Sequence, residues 1–125
     1  MSVMPHHVAP VFHVASIEIA LRYYVDVLGF DERFRFGDSY AGVGIGSVDI
    51  HLAQGGGTYQ RPLGGSSIYV FLDSAAGVDS CCAEIAGRGA RVVSEPRDYP
   101  YGMRDFTVFD PDGNVLTYGA EVEPE

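Results

Sequence analysis

The sequence predicts an α+β fold in which a strand, a helix and three strands occur twice in the same order. Three features of the 125-residue chain lead to this prediction: a well-marked first helix, a glycine-rich connector near the middle, and a tight hairpin near the end. An internal repeat of this length is typical of two similar modules packed as one unit. We therefore expect a single domain with modules over about 8–54 and 66–120.

The first module opens with a short apolar strand from Val8 to Val14. Ser16 is a good helix N-cap, because its hydroxyl can accept a free backbone N–H of the first turn. Apolar residues then follow helical spacing from Ile17 to Leu28, and Gly29 stands where a left-handed C-cap belongs. Three strands are predicted to follow, over Arg33 to Phe36, Tyr40 to Ile45 and Val48 to Gln54.

The stretch from Gly55 to Gly65 is rich in glycine, which predicts a connector between the modules. The second module then repeats the order. Ser67 to Leu72 is a predicted strand, Asp73 or Ser74 can cap a helix, and Gly87 and Gly89 end that helix. Three more strands are predicted over Ala90 to Ser94, Met103 to Phe109 and Val115 to Tyr118. The last two are joined by Asp110-Pro-Asp-Gly-Asn114, a strong turn signal because proline presets the backbone and glycine accepts a positive φ.

Composition limits the partners. The formal net charge is -9 and every basic residue is an arginine. We expect no nucleic-acid partner, because phosphate contacts need clustered positive charge, whereas an acidic protein attracts cationic ligands. No apolar run approaches the ~20 residues of a membrane span, so no membrane partner is expected. Cys81 and Cys82 are adjacent, where a bridge would be strained, and reduced thiols favour a cytoplasmic location.

The order of elements resembles the glyoxalase/bleomycin resistance/dioxygenase superfamily, also called vicinal oxygen chelate proteins. The helix segment Ser16 to Phe30 and the hairpin segment Tyr99 to Tyr118 carry this resemblance, which extends over nearly the whole chain. The resemblance implies curved sheets around a cleft. It also implies a homodimer, in which two modules complete each cleft.

In metal-dependent members of this superfamily, four strand positions carry His, Glu or Gln ligands. Local pattern places those positions at Ala9, His51, Ser67 and Thr117. First-row metals need several strong nitrogen or oxygen donors, and His51 is the one strong donor of the four. The resemblance therefore implies no metal and no other cofactor. One alternative stays open: His13, Asp49 and His51 lie on predicted sheet faces where they could form a non-standard metal site.

Closer detail resembles the bleomycin resistance proteins. The matching segments are Ala9 to Phe12, Asp38 to Val43, and Pro100 to Gly102 with Arg104 to Phe106. In that branch two aromatic residues sandwich a flat part of the drug, and carried over they are Tyr40 and Tyr101. The branch has tryptophan at the second position, whereas this chain contains none.

The resemblance thus implies a non-catalytic protein that binds an aromatic, cationic, antibiotic-type molecule and serves antibiotic resistance. The expected ligand-binding residues are Tyr40, Tyr101, His13, Asp49, His51, Asp38 and Arg104. Asp98 and Asp105 are further carboxylates that would favour a cation. The alternatives are a metal-dependent lyase, isomerase or dioxygenase with an atypical ligand set, and an interaction module with a vestigial cleft.

Overall fold

The computed structural model describes residues 3–57 and 59–122 and contains the predicted strand–helix–three-strand order twice. The first module consists of β1 (Val11–Val14), α1 (Ile17–Arg22, extended by a π-helical turn over Tyr23–Val27), β2 (Asp31–Phe36), β3 (Tyr40–Ile45) and β4 (Val48–Gln54). The second consists of β5 (Ser67–Phe71), α2 (Ala75–Gly87), β6 (Arg91–Asp98), β7 (Met103–Phe109) and β8 (Val115–Glu121).

Each module forms one four-stranded sheet, and the two sheets have the same topology. The strand orders are β1-β4-β3-β2 and β5-β8-β7-β6. In each sheet the first strand pairs in parallel with the last, and the remaining neighbours are antiparallel. The predicted fold class is therefore confirmed.

The first strand is shorter than predicted, because it begins at Val11 and not at Val8. Pro10 has no N–H to continue a ladder, although its carbonyl still accepts from the His51 N–H at 2.9 Å. Ala9 consequently precedes the strand. Three strands are longer than predicted: β2 begins at Asp31, β6 continues to Asp98 and β8 to Glu121. Two predicted ends are shortened by one residue, since β5 ends at Phe71 and β6 begins at Arg91.

Both predicted helix caps are present. The Ser16 hydroxyl accepts from the Ile19 N–H at 3.2 Å, and the Ser74 hydroxyl accepts from the Gly77 N–H at 3.0 Å. The first helix ends in a wider turn, in which the Leu28 N–H donates to the Tyr23 carbonyl, five residues back, at 3.0 Å. Gly29 then adopts a φ of +83°, as its place after the helix predicts.

The wide turn joins the modules. The hydroxyl of Tyr23 donates to the Phe109 carbonyl at 2.7 Å, and that of Tyr24 donates to the Asp110 carboxylate at 2.9 Å. Burial and the neighbouring Asp110 hold the pKa of Tyr24 well above its usual value, so this phenol stays a donor. Two consecutive side chains of the first module are thus bonded to the β7–β8 turn of the second.

Each helix covers one face of its own sheet: α1 packs against β3 and β4, and α2 against β6, β7 and β8. Residues on the covered faces, such as Phe12, Ile50, Phe106 and Val108, are completely buried. We call the opposite face of each sheet its open face. Neither helix of the described residues has the length and apolar character needed to cross a membrane. Both cysteines of α2 are free thiols, and burial raises the pKa of each.

We expect Tyr24→Phe to lower the free energy of unfolding by about 1.5–3 kcal/mol, because the buried Asp110 loses one of its donors. Denaturant unfolding at neutral pH measures this change. The matched control is Tyr59→Phe, which removes a hydroxyl from a side chain that is 85% exposed. Equal stabilities of the two variants would contradict the structural role of the Tyr24–Asp110 bond.

Candidate functional site

The open face of the first sheet carries an aromatic cluster of Phe34, Tyr40 and His51. The Tyr40 hydroxyl lies 2.9 Å from His51 Nδ1, and the Phe34 ring meets the His51 ring edge-on at a centroid distance of 5.1 Å. Phe34 and Tyr40 are stacked at 6.1 Å. The Phe34 ring lies directly over Gly42, where any Cβ would collide with it, so this position requires glycine.

His13, Asp49 and His51, which the sequence left open as a metal site, each have separate partners. His13 Nδ1 lies 3.1 Å from the Gly55 carbonyl oxygen. Asp49 accepts from Arg33 at 2.7 Å and lies 3.1 Å from His7 Nε2. Over residues 3–57 and 59–122, no three His, Cys, Asp or Glu side chains come together as a metal-binding group.

The four positions implied by the resemblance also fail to fit a first-row metal. Ala9 has no donor, Ser67 is exposed at the start of β5, and the Thr117 hydroxyl is bonded to that of Thr107 at 2.9 Å. His51 is the one strong donor, and its Nδ1 is bonded to Tyr40. A metal of this class needs three or four strong donors that converge.

The open face of the second sheet carries a different cluster, centred on Asp105. The hydroxyls of Tyr69 and Tyr101 both donate to Asp105 Oδ2, each at 2.8 Å. Asp105 is only 4% exposed. The Tyr101 ring stacks on Tyr99 with a centroid distance of 5.2 Å and an interplanar angle of 8°. Sequence reasoning named Asp105 as one of several carboxylates and missed Tyr69 and Tyr99, since no local pattern links them to it.

Both phenols in this cluster are held in the protonated form. Burial of the hydroxyl and the hydrogen bond to Asp105 raise the pKa of Tyr101 to about 12. The same causes raise the pKa of Tyr69 far above its usual value. Tyr101 as a residue is 63% exposed, but its hydroxyl donates to the nearly buried Asp105 carboxylate.

Two other predicted ligand-binding residues have partners elsewhere. Arg104 donates to both carboxylate oxygens of Asp79 on α2, at 2.8 and 2.9 Å, and to Asp98 at 3.0 Å. Because neighbouring side chains of a strand alternate, Arg104 and Asp105 face opposite sides of the sheet. Asp38 lies in the exposed β2–β3 turn, 3.4 Å from Arg35. A ligand role for Arg104 or Asp38 stays a prediction.

Tyr40 lies in β3 of the first sheet, whereas Tyr101 lies in the turn between β6 and β7 of the second. In the part of the chain that the structure describes, no hydrogen bond or ring contact joins them. Among the described residues, the grooves with volumes of about 240 to 420 Å³ that we compared are lined by neither tyrosine. A shared cleft between these two rings would therefore need more than the contacts of one chain.

Comparison with known proteins agrees with this architecture. Residues 5–118 match the family model of the glyoxalase/bleomycin resistance protein/dioxygenase superfamily. The chain belongs to this superfamily. No curated protein matches this superfamily member at a significant level.

Several solved structures share the fold of this superfamily member. A glyoxalase/bleomycin resistance protein/dioxygenase from Nocardioides has a TM-score of 0.79 at 21% identity, over 99% of this chain and 89% of that chain. TioX from Micromonospora sp. ML1 has a TM-score of 0.77 at 21% identity, over 94% and 100%. Lactoylglutathione lyase from Agrobacterium tumefaciens has a TM-score of 0.76 at 17% identity, over 93% and 94%. At these identities the likeness establishes the two-module fold with curved sheets.

We expect Asp105→Asn to lower the pKa of both Tyr69 and Tyr101, because a neutral amide no longer opposes formation of a phenolate. NMR of tyrosines labelled at ¹³Cζ, followed through alkaline pH, measures the two ionisations separately. In the variant, both resonances should begin to shift at lower pH than in the wild type. Glu84→Gln, which removes the same charge from an exposed side chain of α2, should leave both unchanged. Wild-type titration curves in Asp105→Asn would contradict the hydrogen bonds described.

Proposed function

We propose that this protein is a non-catalytic binder of a flat, aromatic, positively charged small molecule of antibiotic type, related most closely to the bleomycin resistance branch. One observation carries the proposal: each open sheet face presents a tyrosine ring anchored through its hydroxyl to a group on a neighbouring strand. Tyr40 is anchored by His51 and Tyr101 by Asp105. An anchored ring offers a large contact area and loses little conformational entropy on binding.

The charge of the chain supports a cationic ligand. The net charge is -9, and a carboxylate lies on each open face: Asp49, already paired with Arg33, on the first, and Asp105, bonded to two phenols, on the second. Such a field raises the rate at which cations associate and adds to their affinity. The residues at the expected metal positions support a non-catalytic role. Ala9, Ser67 and Thr117 occupy three of the four positions that the resemblance assigns to metal ligands, and none of them is a strong metal donor.

We also propose a two-fold symmetric homodimer, in which the open face of one protomer's first sheet lies opposite the open face of its partner's second sheet. This arrangement would place Tyr40 of one chain and Tyr101 of the other on two walls of one cleft. Exposed apolar side chains supply area for such an interface: Phe36 on the first face is 68% exposed and Phe71 on the second is 75% exposed. Two-fold dimers are the commonest closed assemblies.

For the ligand, we expect Tyr101→Ala to weaken binding about tenfold, since loss of one stacking contact removes about 1.4 kcal/mol. Calorimetry with bleomycin-like glycopeptides and simpler cationic heteroaromatics measures this, and Tyr59→Ala is the matched control. The affinity should fall as salt screens the carboxylates.

The binding proposal fails if none of these compounds binds below millimolar concentration. It also fails if Tyr40→Ala and Tyr101→Ala both leave the affinity for a bound compound unchanged. Stoichiometric zinc, nickel or iron that survives dialysis and is lost in His51→Ala would favour the metal-dependent lyase, isomerase or dioxygenase instead.

For the assembly, we expect light scattering at micromolar concentration to report twice the mass of the chain. Phe71→Asp should shift the mass toward that of a monomer, because it places a charge in the proposed interface. Ile19→Asp on α1, a side chain 54% exposed on the helix side, should leave the dimer intact. A wild-type monomer, or dissociation by Ile19→Asp alone, would refute the arrangement.

A further inference from the structure

We propose that Asp105, with Tyr69, Tyr99 and Tyr101 around it, forms a site that selects an organic cation and supplies its counter-charge. The inference rests on the proposed binding function and deepens it, because it assigns recognition of the ligand's charge to one residue. The partner chemistry is a flat ring that carries a quaternary or protonated nitrogen.

The geometry of the sheet builds this site across three strands. Asp105 on β7 stands opposite Gly119 on β8 and opposite Arg97 on β6. Any Cβ at position 119 would collide with the Tyr69 hydroxyl. Because Gly119 has no side chain, the Tyr69 side chain on β5 can extend across β8 and donate to the Asp105 carboxylate.

Asp105 is a nearly buried carboxylate without a counter-ion among the described residues. The ion pairs in that part of the chain involve other carboxylates: Asp49, Asp38, Glu84, Asp79 and Asp98. The two partners of Asp105 are neutral phenols, which satisfy one oxygen and leave the charge in place. An ionised carboxylate offers about four acceptor positions, so two bonds at Oδ2 leave capacity at Oδ1. Because burial of an uncompensated charge is costly, this site favours a cation.

The arginine on the same face of the neighbouring strand does not fill that role. Arg97 lies across the strand pair from Asp105, yet its guanidinium lies over the Tyr99 ring, 5.6 Å from the centroid. Arg97, Tyr99 and Tyr101 thus form a column in which the chain's own flat cation rests on an aromatic face. The Tyr101 ring ends this column and is largely exposed beside Asp105.

The hydrogen bond to Asp105 also prepares the Tyr101 ring for a cation. Donation of a phenolic proton to a carboxylate polarises the phenol and makes its ring more electron-rich. A cation above an aromatic face is attracted by that negative face. Asp105 therefore acts on a ligand directly through its charge and indirectly through the ring that it holds.

The test uses two probes of nearly equal size and shape, 1-methylquinolinium, a permanent cation, and 4-methylquinoline, which is neutral at pH 7.5. The chain contains no tryptophan, so its intrinsic fluorescence comes from its eight tyrosines and reports that a probe binds. NMR shifts of labelled tyrosines locate the probes. We expect the wild-type protein to bind the cation about fivefold more tightly than the neutral compound, with shifts at Tyr99 and Tyr101.

Asp105→Asn should reduce this preference to about twofold or less, whereas Glu84→Gln, with the same change in net charge, should keep it. Tyr69→Phe is a second variant. Structural damage to the site would lower the preference for the cationic probe, whereas the proposal expects the opposite change. It removes one donor from the carboxylate and leaves its charge more available, so the preference for the cation should increase. Circular dichroism checks that each variant is folded. If Asp105→Asn does not fold, the result for Tyr69→Phe tests the role of Asp105.

The inference is overturned if the wild type binds both probes equally or binds neither. It is also overturned by an equal loss of preference in Asp105→Asn and Glu84→Gln, or by a preference in Tyr69→Phe that is unchanged or lost. Its failure differs from failure of the binding function as a whole. If aromatic ligands bind through Tyr101 without regard to charge, the binding function stands and the role of Asp105 falls.

Discussion

The arrangement of the two modules depends on one buried carboxylate, that of Asp110. It is fully buried and accepts from the Tyr24 hydroxyl, from the N–H groups of Asp112 and Asn114, and from the Asn114 side chain. A buried charge needs such donors to offset its lost hydration. The same group therefore shapes the β7–β8 turn and holds the first helix of the other module against it.

The turn shaped by Asp110 also positions the first strand of each module. Asn114 accepts from the Ser66 N–H at 3.1 Å and lies 3.4 Å from the His13 carbonyl, and Asp112 accepts from the Ala15 N–H at 3.0 Å. The end of β1 and the start of β5 are thus attached to one rigid turn. Since both helices lie on the covered sides, the two open faces are left as the surfaces on which function can be built.

The open faces show how one fold can change its chemistry. At the four positions that the resemblance assigns to metal ligands, Ala9 has no donor, the Thr117 hydroxyl is bonded to that of Thr107, and His51 is bonded to Tyr40. The open faces also carry anchored aromatic rings and carboxylates, among which Asp105 is the most buried. Our proposal of recognition by stacking and charge rests on this geometry.

The sequence by itself determined the elements, because their signals are local. Ser16 and Ser74 cap helices a few residues away, Gly29 and Gly113 adopt the positive φ that their turns require, and alternation places Asp49 with His51 on one face. It did not determine which side chains meet. Only the tertiary structure separated His13, Asp49 and His51 among different partners, and only it joined Asp105 to Tyr69, 36 residues away. Such pairings depend on strand order and on a missing side chain at Gly119, neither of which leaves a pattern along the chain.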